Sequence, residues 1–147
     1  MPSGLVLPIT LTMTGAATLV NMWLASRVGQ VRRAAKVSVG DGGHEALLRR
    51  MRAQANFVEY TPFFLLLLAL VELATGSPAW LWGVGAIYIL ARLFHAFGMD
   101  GGPRNRLRMI GMMTTALLLV GLAFYALAIP YLAHGGSGTI VSEVRHA

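Results

Sequence analysis

Hydrophobic residues along this 147-residue chain gather into four long blocks, separated by short polar or glycine-rich breaks. A helix needs about 20 apolar residues to cross a hydrocarbon core. The blocks at about 8–31, 57–74, 79–97 and 107–132 are of that order, and the second has a polar helical lead-in from Glu45. The breaks differ in character. Residues Arg32 to His44 are basic and then glycine-rich, ending in Gly40-Asp41-Gly42-Gly43. Thr75-Gly76-Ser77-Pro78 is short and uncharged, a helix stop followed by a helix start. The third break, Gly98 to Asn105, holds Gly101-Gly102-Pro103. Residues 134–147 are rich in Gly and Ser and read as a mobile tail. No repeat or low-complexity tract interrupts the pattern. It predicts an all-α, integral membrane four-helix bundle spanning residues 1–133 as one domain.

Composition supports that reading. The chain is 56% hydrophobic and 12% charged, against about 25% charged in soluble domains, and its mean hydropathy is +0.63. The net charge of +6 would suggest nucleic acid in a soluble protein. Here the basic residues flank apolar blocks and form no stripe interleaved with aromatics, so that class is excluded. The chain has no cysteine, which excludes disulfides, thiolate metal sites and a cysteine nucleophile; any thiol chemistry needs a thiol that arrives with a ligand. No positive charge precedes the first block, so it is read as a retained span rather than a signal peptide.

The charges predict topology. Arg32, Arg33, Lys36, Arg49, Arg50 and Arg52 surround the first loop, and Arg104, Arg106 and Arg108 the third. By the positive-inside rule both loops are cytoplasmic and both termini lie on the other side, in the inner membrane if the source is bacterial.

Ionisable residues inside spans cost roughly 2.5–3.5 kcal/mol each and need partners or water. On the second helix Arg52, Asn56 and Glu59 are spaced i, i+4, i+7 and fall within about 60° of one another. Tyr60 sits beside that stripe, and Gln54 projects from the opposite face toward a neighbouring chain or another cleft. Arg92 and His95 share a face of the third helix, and Arg108 enters the fourth apolar block. All four helices thus bring cations to one membrane face, around Glu59 as a buried carboxylate. Arginine forks bind carboxylates and Glu59 can hold an ammonium, which suits an anionic, zwitterionic small molecule. Arg33, Lys36, Arg49, Arg50, Arg104 and Arg106 read more simply as topology signals or lipid-phosphate contacts. Asn56, Glu59 and Arg92 fit an internal helix-to-helix bridge as well as a ligand site, and His95 by itself fits packing better than catalysis. Glu72, near the other end, is expected to be solvated, and Pro62 to kink its helix. Met109, Met112 and Met113 read as apolar filling rather than metal ligands. Gly83, Gly85, Gly111 and Gly121 are expected points of close helix packing.

The stretch Arg52-Ala53-Gln54-Ala55-Asn56-Phe57-Val58-Glu59-Tyr60-Thr61-Pro62 resembles the helix-two signature of the MAPEG family, the membrane-associated proteins in eicosanoid and glutathione metabolism. Gly29-Gln30-Val31-Arg32 resembles the end of helix one in its prostaglandin synthase branch. Arg92-Leu93-Phe94-His95 resembles the family's helix three, and Arg106-Leu107-Arg108-Met109-Ile110-Gly111 the start of helix four in bacterial-type members. The resemblance runs from about Pro8 to Leu132. It implies a homotrimer that binds glutathione between neighbouring subunits near the cytoplasmic face, with no metal. Carried over by position, Arg32, Arg52, Gln54, Asn56, Glu59, Tyr60, Arg92 and His95 would line the glutathione site, and Arg108 would face the thiol. A guanidinium beside sulfur in a desolvated site favours the thiolate, whose ordinary pKa is about 8.5. Lowering it by two units takes about 2.7 kcal/mol. There are departures: Met109 stands where the prostaglandin synthase has a serine, Met99 and Met112 where eicosanoid-making relatives tend to have tyrosines, and Ala55 where the prostaglandin enzyme has an arginine. They leave the glutathione cradle in place and argue against specific eicosanoid chemistry.

The leading expectation is a glutathione-dependent transferase or peroxidase acting on hydrophobic electrophiles. A non-catalytic membrane protein that binds glutathione or lipid-like ligands is the alternative, since the family includes such a protein and a fold does not establish catalysis. A small multidrug exporter ranks below both. It needs a membrane-embedded carboxylate on its pathway; the first helix has none and Glu59 is ringed by arginines.

Overall fold

The computed structural model describes residues 6–102 and 105–135. They form four α-helices and no strand: α1 (Pro8–Ala35), α2 (Glu45–Thr75), α3 (Ala79–Asp100) and α4 (Arg106–Gly135). The tail beyond residue 135, and Arg104 with it, lie outside the described residues. Each helix contains its apolar block, and α1, α3 and α4 run about a turn past it, because backbone hydrogen bonding continues until a stop residue intervenes. Lys36, in the left-handed region at φ 54°, ends α1 and donates its backbone N–H to the Arg32 and Arg33 carbonyls. Gly76 ends α2. α2 passes through Pro62 as one continuous helix.

Three helices, α2, α3 and α4, are long and apolar enough to cross a membrane. α1 matches them in length at 28 residues. Its apolar positions are diluted by Thr10, Thr12, Thr14, Thr18, Asn21 and Ser26, so hydropathy alone does not mark it as a span.

The helices bury one continuous interior. At one end Ile9, Phe64, Leu68, Val71, Leu81 and Tyr88 are fully buried. Phe64 and Tyr88 stack with ring centroids 3.6 Å apart, and the Tyr88 hydroxyl hydrogen-bonds Thr61 at 3.0 Å. Toward the other end Ala17, Leu24, Phe57 and Ala96 continue the core. Leu19, Phe63, Leu117, Phe124 and Leu127 point outward and exposed, which suits hydrocarbon rather than water.

Two polar clusters pin the ends. At the start of α1 no side chain of its own caps the helix. Glu72 of α2 does so instead, accepting from the backbone N–H of Ile9 at 3.0 Å and of Thr10 at 2.8 Å, and from the Thr10 and Ser77 hydroxyls at 2.7 Å each. Glu72 is therefore 1% exposed, not solvated as expected: the dipole and orphan amides of α1 draw the carboxylate inward. Removing it with Glu72→Ala strands buried donors, and hydrogen bonds to a charged group are worth about 1.5–3 kcal/mol. A drop in thermal melting temperature in detergent, with α-helical circular dichroism retained below the transition, is the expected outcome; an unchanged melt would rule out the cap. At the opposite end Arg27 pairs with Asp100, and Arg50 approaches the same carboxylate at 3.5 Å. Arg50 also donates to the Arg27 carbonyl at 3.1 Å, and the Arg27 guanidinium lies 4.6 Å from the Trp23 ring centroid. α1 thus runs antiparallel to α2 from the Glu72 end to the Asp100 end.

Candidate functional site

A pocket of about 560 Å³ opens at the Asp100 end, lined by Arg52 and Asn56 of α2, His95 and Met99 of α3, Asn105, and Arg108, Met109, Met112 and Met113 of α4. Its size is in the usual range for small-molecule sites, about 300–1,000 Å³. No carboxylate lines it. Two arginines, two amides and a histidine meet a wall of four methionine side chains.

Helical register supplies the α2 and α3 pairs. Arg52 and Asn56 are one turn apart, as are His95 and Met99, so each pair shares a face. What brings α4 against them is glycine. A Cβ on Gly98 would collide with the Arg108 backbone, and one on Gly111 would lie 2.5 Å from the Ala91 carbonyl oxygen and 2.6 Å from the His95 nitrogen. The α3 and α4 backbones therefore meet almost directly, which sets Arg108 beside His95. Asn105 starts α4 by accepting from the Leu107 N–H at 2.9 Å. Of the four glycines expected to be packing points, Gly85 and Gly111 are; Gly83 and Gly121 face open space, and Gly98 makes the closest backbone-to-backbone approach.

Behind the pocket lies Arg92, 1% exposed. Its Nη2 donates to Asn56 Oδ1 at 2.8 Å and its Nη1 to Thr115 Oγ1 at 3.4 Å. The guanidinium carbon lies 5.6 Å from the Phe57 ring centroid.

The structure brings Arg52, Asn56, His95 and Arg108 together and sets Arg92 one layer behind them. It does not bring the others to this pocket. Arg32 donates to the Ser38 and Gly40 carbonyls at 3.2 and 2.9 Å, so it braces the loop between α1 and α2. Gln54 and Tyr60 are half-buried and do not line the pocket. Glu59 is exposed and makes no hydrogen bond or ion pair with the described residues. Two arginines at this end, Arg27 and Arg50, meet on Asp100, and none among the described residues meets Glu59, because Asp100 closes α3 within reach of both α1 and α2. The apolar methionines of α4 line the pocket: Met109 and Met113 are 64% and 65% exposed and Met112 is half-buried. The i, i+4 register of Met109 with Met113 and of Arg108 with Met112 is the sequence signal for a pocket wall.

The sequence profile of the MAPEG family matches residues 10–128, which include every one of these pocket residues. The chain belongs to the MAPEG family. Two proteins named Inner membrane protein YecN, from Escherichia coli K12 and from an O6:H1 strain, are each 34% identical to it over 110 residues, covering 73% of this chain and 82% of theirs. The family and the apolar helices together make this MAPEG chain a membrane protein.

Proposed function

We propose that this MAPEG protein is a glutathione-dependent transferase or peroxidase acting on hydrophobic electrophiles within the membrane. One observation carries the reading: a pocket at a helix end with Arg52, Asn56, His95 and Arg108 on one side, a methionine wall on the other, and no carboxylate lining it. The polar side suits the carboxylates and thiolate of glutathione. The methionine side suits an apolar second substrate, because thioether chains are flexible and polarizable. Arg108 is the residue placed to hold the sulfur as thiolate. In conjugation the thiolate attacks the electrophilic carbon, the carbon–sulfur bond forms, and the leaving group departs with its electron pair. In peroxide reduction the thiolate attacks an O–O oxygen, releasing an alcohol, and a second glutathione resolves the sulfenic acid to a disulfide and water.

Assembly and orientation belong to the same proposal. α1 crosses the membrane alongside α2, since their contacts extend from Glu72 at one end to Arg50 at the other. An exposed Glu59 on a membrane-crossing helix is costly without a partner, which supports a homotrimer in which a neighbouring subunit covers that face and brings Arg32, Gln54, Glu59 and Tyr60 toward the shared glutathione. The arginine-rich end is cytoplasmic and both termini face outward, in the inner membrane as the YecN relatives are named.

Glutathione titration of the detergent-purified protein, followed by thiolate absorbance in the ultraviolet, tests the reading. The expected outcome is saturable binding below millimolar concentration with a thiolate signal at neutral pH. Binding without that signal would make this a ligand-binding protein rather than an enzyme, and no binding at millimolar glutathione would overturn the site.

A further inference from the structure

Arg92 is the largest fully buried side chain in the described residues. A guanidinium carries five N–H donors and no acceptor. Its acceptors here, Asn56 Oδ1 and Thr115 Oγ1, are both neutral, and its Nε has no partner. Of the carboxylates among the described residues, Glu72 caps α1 at the far end, Asp100 is held by Arg27 and Arg50, Glu45 pairs with Arg49, Asp41 accepts from the Gly43 N–H in the loop between α1 and α2, and Glu59 is exposed. Among the described residues Arg92 is thus a buried cation without a counter-anion. Such an arrangement is destabilising, and one is retained where function requires it.

Its connection to the pocket is Asn56. With Oδ1 held toward Arg92, the Asn56 NH₂ group is the part of the amide free to donate to the pocket. Arg52 and Arg108 on the same lining are donors only. The His95 ring, one turn along α3 from Arg92, has a buried Nδ1 with no partner. The orientation of Asn56 therefore completes a donor cradle, and an anion entering it lies within the field of Arg92.

The geometry points to Arg92 as a positioning residue that turns Asn56 into a donor and whose buried charge is neutralised by the anionic ligand. This inference rests on glutathione occupying the pocket. It places Arg92 outside direct contact with the ligand and gives it two separable effects, orientation and field.

Arg92→Met removes both effects, whereas Arg92→Lys keeps the charge and loses the planar fork. In glutathione titrations, Arg92→Met is expected to weaken binding about tenfold and to raise the pKa of the bound thiol by about one unit, read as an almost tenfold fall in thiolate fraction at pH about 5.5, well below that pKa. Arg92→Lys is expected to weaken binding similarly and to keep the thiolate fraction within about threefold, because only orientation is lost. Asn56→Leu should match Arg92→Lys. The unliganded melting temperature of Arg92→Met should not fall, since an unpaired buried charge has been removed. Should Arg92→Met not fold, the Arg92→Lys and Asn56→Leu pair still decides: wild-type affinity in either overturns the inference. So does wild-type ionisation in Arg92→Met, or an equal fall in thiolate fraction in all three variants. Absence of glutathione binding by the wild type would overturn this inference together with the proposed function; binding with unaltered Arg92 variants would overturn this inference alone.

Discussion

Arg108→Ala is expected to abolish the thiolate absorbance of bound glutathione while leaving binding within about tenfold of wild type. In the proposed site Arg52 and Asn56 would remain to hold the carboxylates, so the interaction lost would be the one with sulfur. If Arg108 lowers the thiol pKa from about 8.5 by two units, its removal reduces the thiolate fraction at pH 6.5 about fiftyfold. The sign follows from charge: a cation stabilises the deprotonated thiol, so the variant regains thiolate only as pH rises through the ordinary thiol range. Turnover with a hydrophobic electrophile should fall in parallel at pH 6.5 and recover above pH 8.5. Arg108→Lys should lie between the two, since it keeps the charge on a more flexible stem. A variant that loses binding and ionisation together would make Arg108 an anchor for the ligand rather than the group facing its sulfur. One that loses neither would remove it from the chemistry.

Gly98→Ala should have the largest effect on the fold. The added methyl meets the backbone of Arg108, which cannot rotate away as a side chain can. α4 must therefore shift bodily, breaking its contact at Gly111, where a methyl would already be 2.5 Å from the Ala91 carbonyl. Overpacking typically costs about 1–3 kcal/mol, and backbone-to-backbone collision belongs at the upper end. Gly83→Ala is the matched control, because nothing lies within 4 Å of the new methyl. It should be neutral or stabilising by up to about 1 kcal/mol through helix propensity. Thermal unfolding in detergent should separate the two variants clearly. Glutathione ionisation should fail in Gly98→Ala at temperatures where it is still folded, since moving α4 moves Arg108 away from His95. Equal melting temperatures for the two variants would mean that the helices are not held by this contact.

The helices were legible in the residue pattern because the bilayer imposes a length, and four blocks of that length stand out between glycine, proline and charge. The site was legible in part. Arg52 with Asn56, and His95 with Met99, share a face because register along a helix is encoded locally, whereas Arg108 reaches His95 only through the α3–α4 glycine contacts. Glu59 shows where local register stops: its angle on α2 agrees with the Arg52 stripe, yet it is exposed rather than buried among the other helices. Which α2 faces are covered depends on where α1, α3 and α4 lie. Glu72 went the other way, from an expected solvated position to a buried cap, because the orphan amides it satisfies belong to a helix 62 and 63 positions away in sequence.

The sequence alone determined the number of helices, their approximate limits, the end that carries the cations and the family. The first three follow from residue type and local spacing, and the family from the resemblance of its motifs. Tertiary structure decided which glycines bring backbones together, that Arg27 and Arg50 converge on Asp100, and that the methionines of α4 form a pocket wall. The reason is physical: in lipid the hydrophobic effect does not draw helices together, so their pairing is set by close steric fit and a few polar contacts between distant residues. Neither leaves a periodic mark on the sequence.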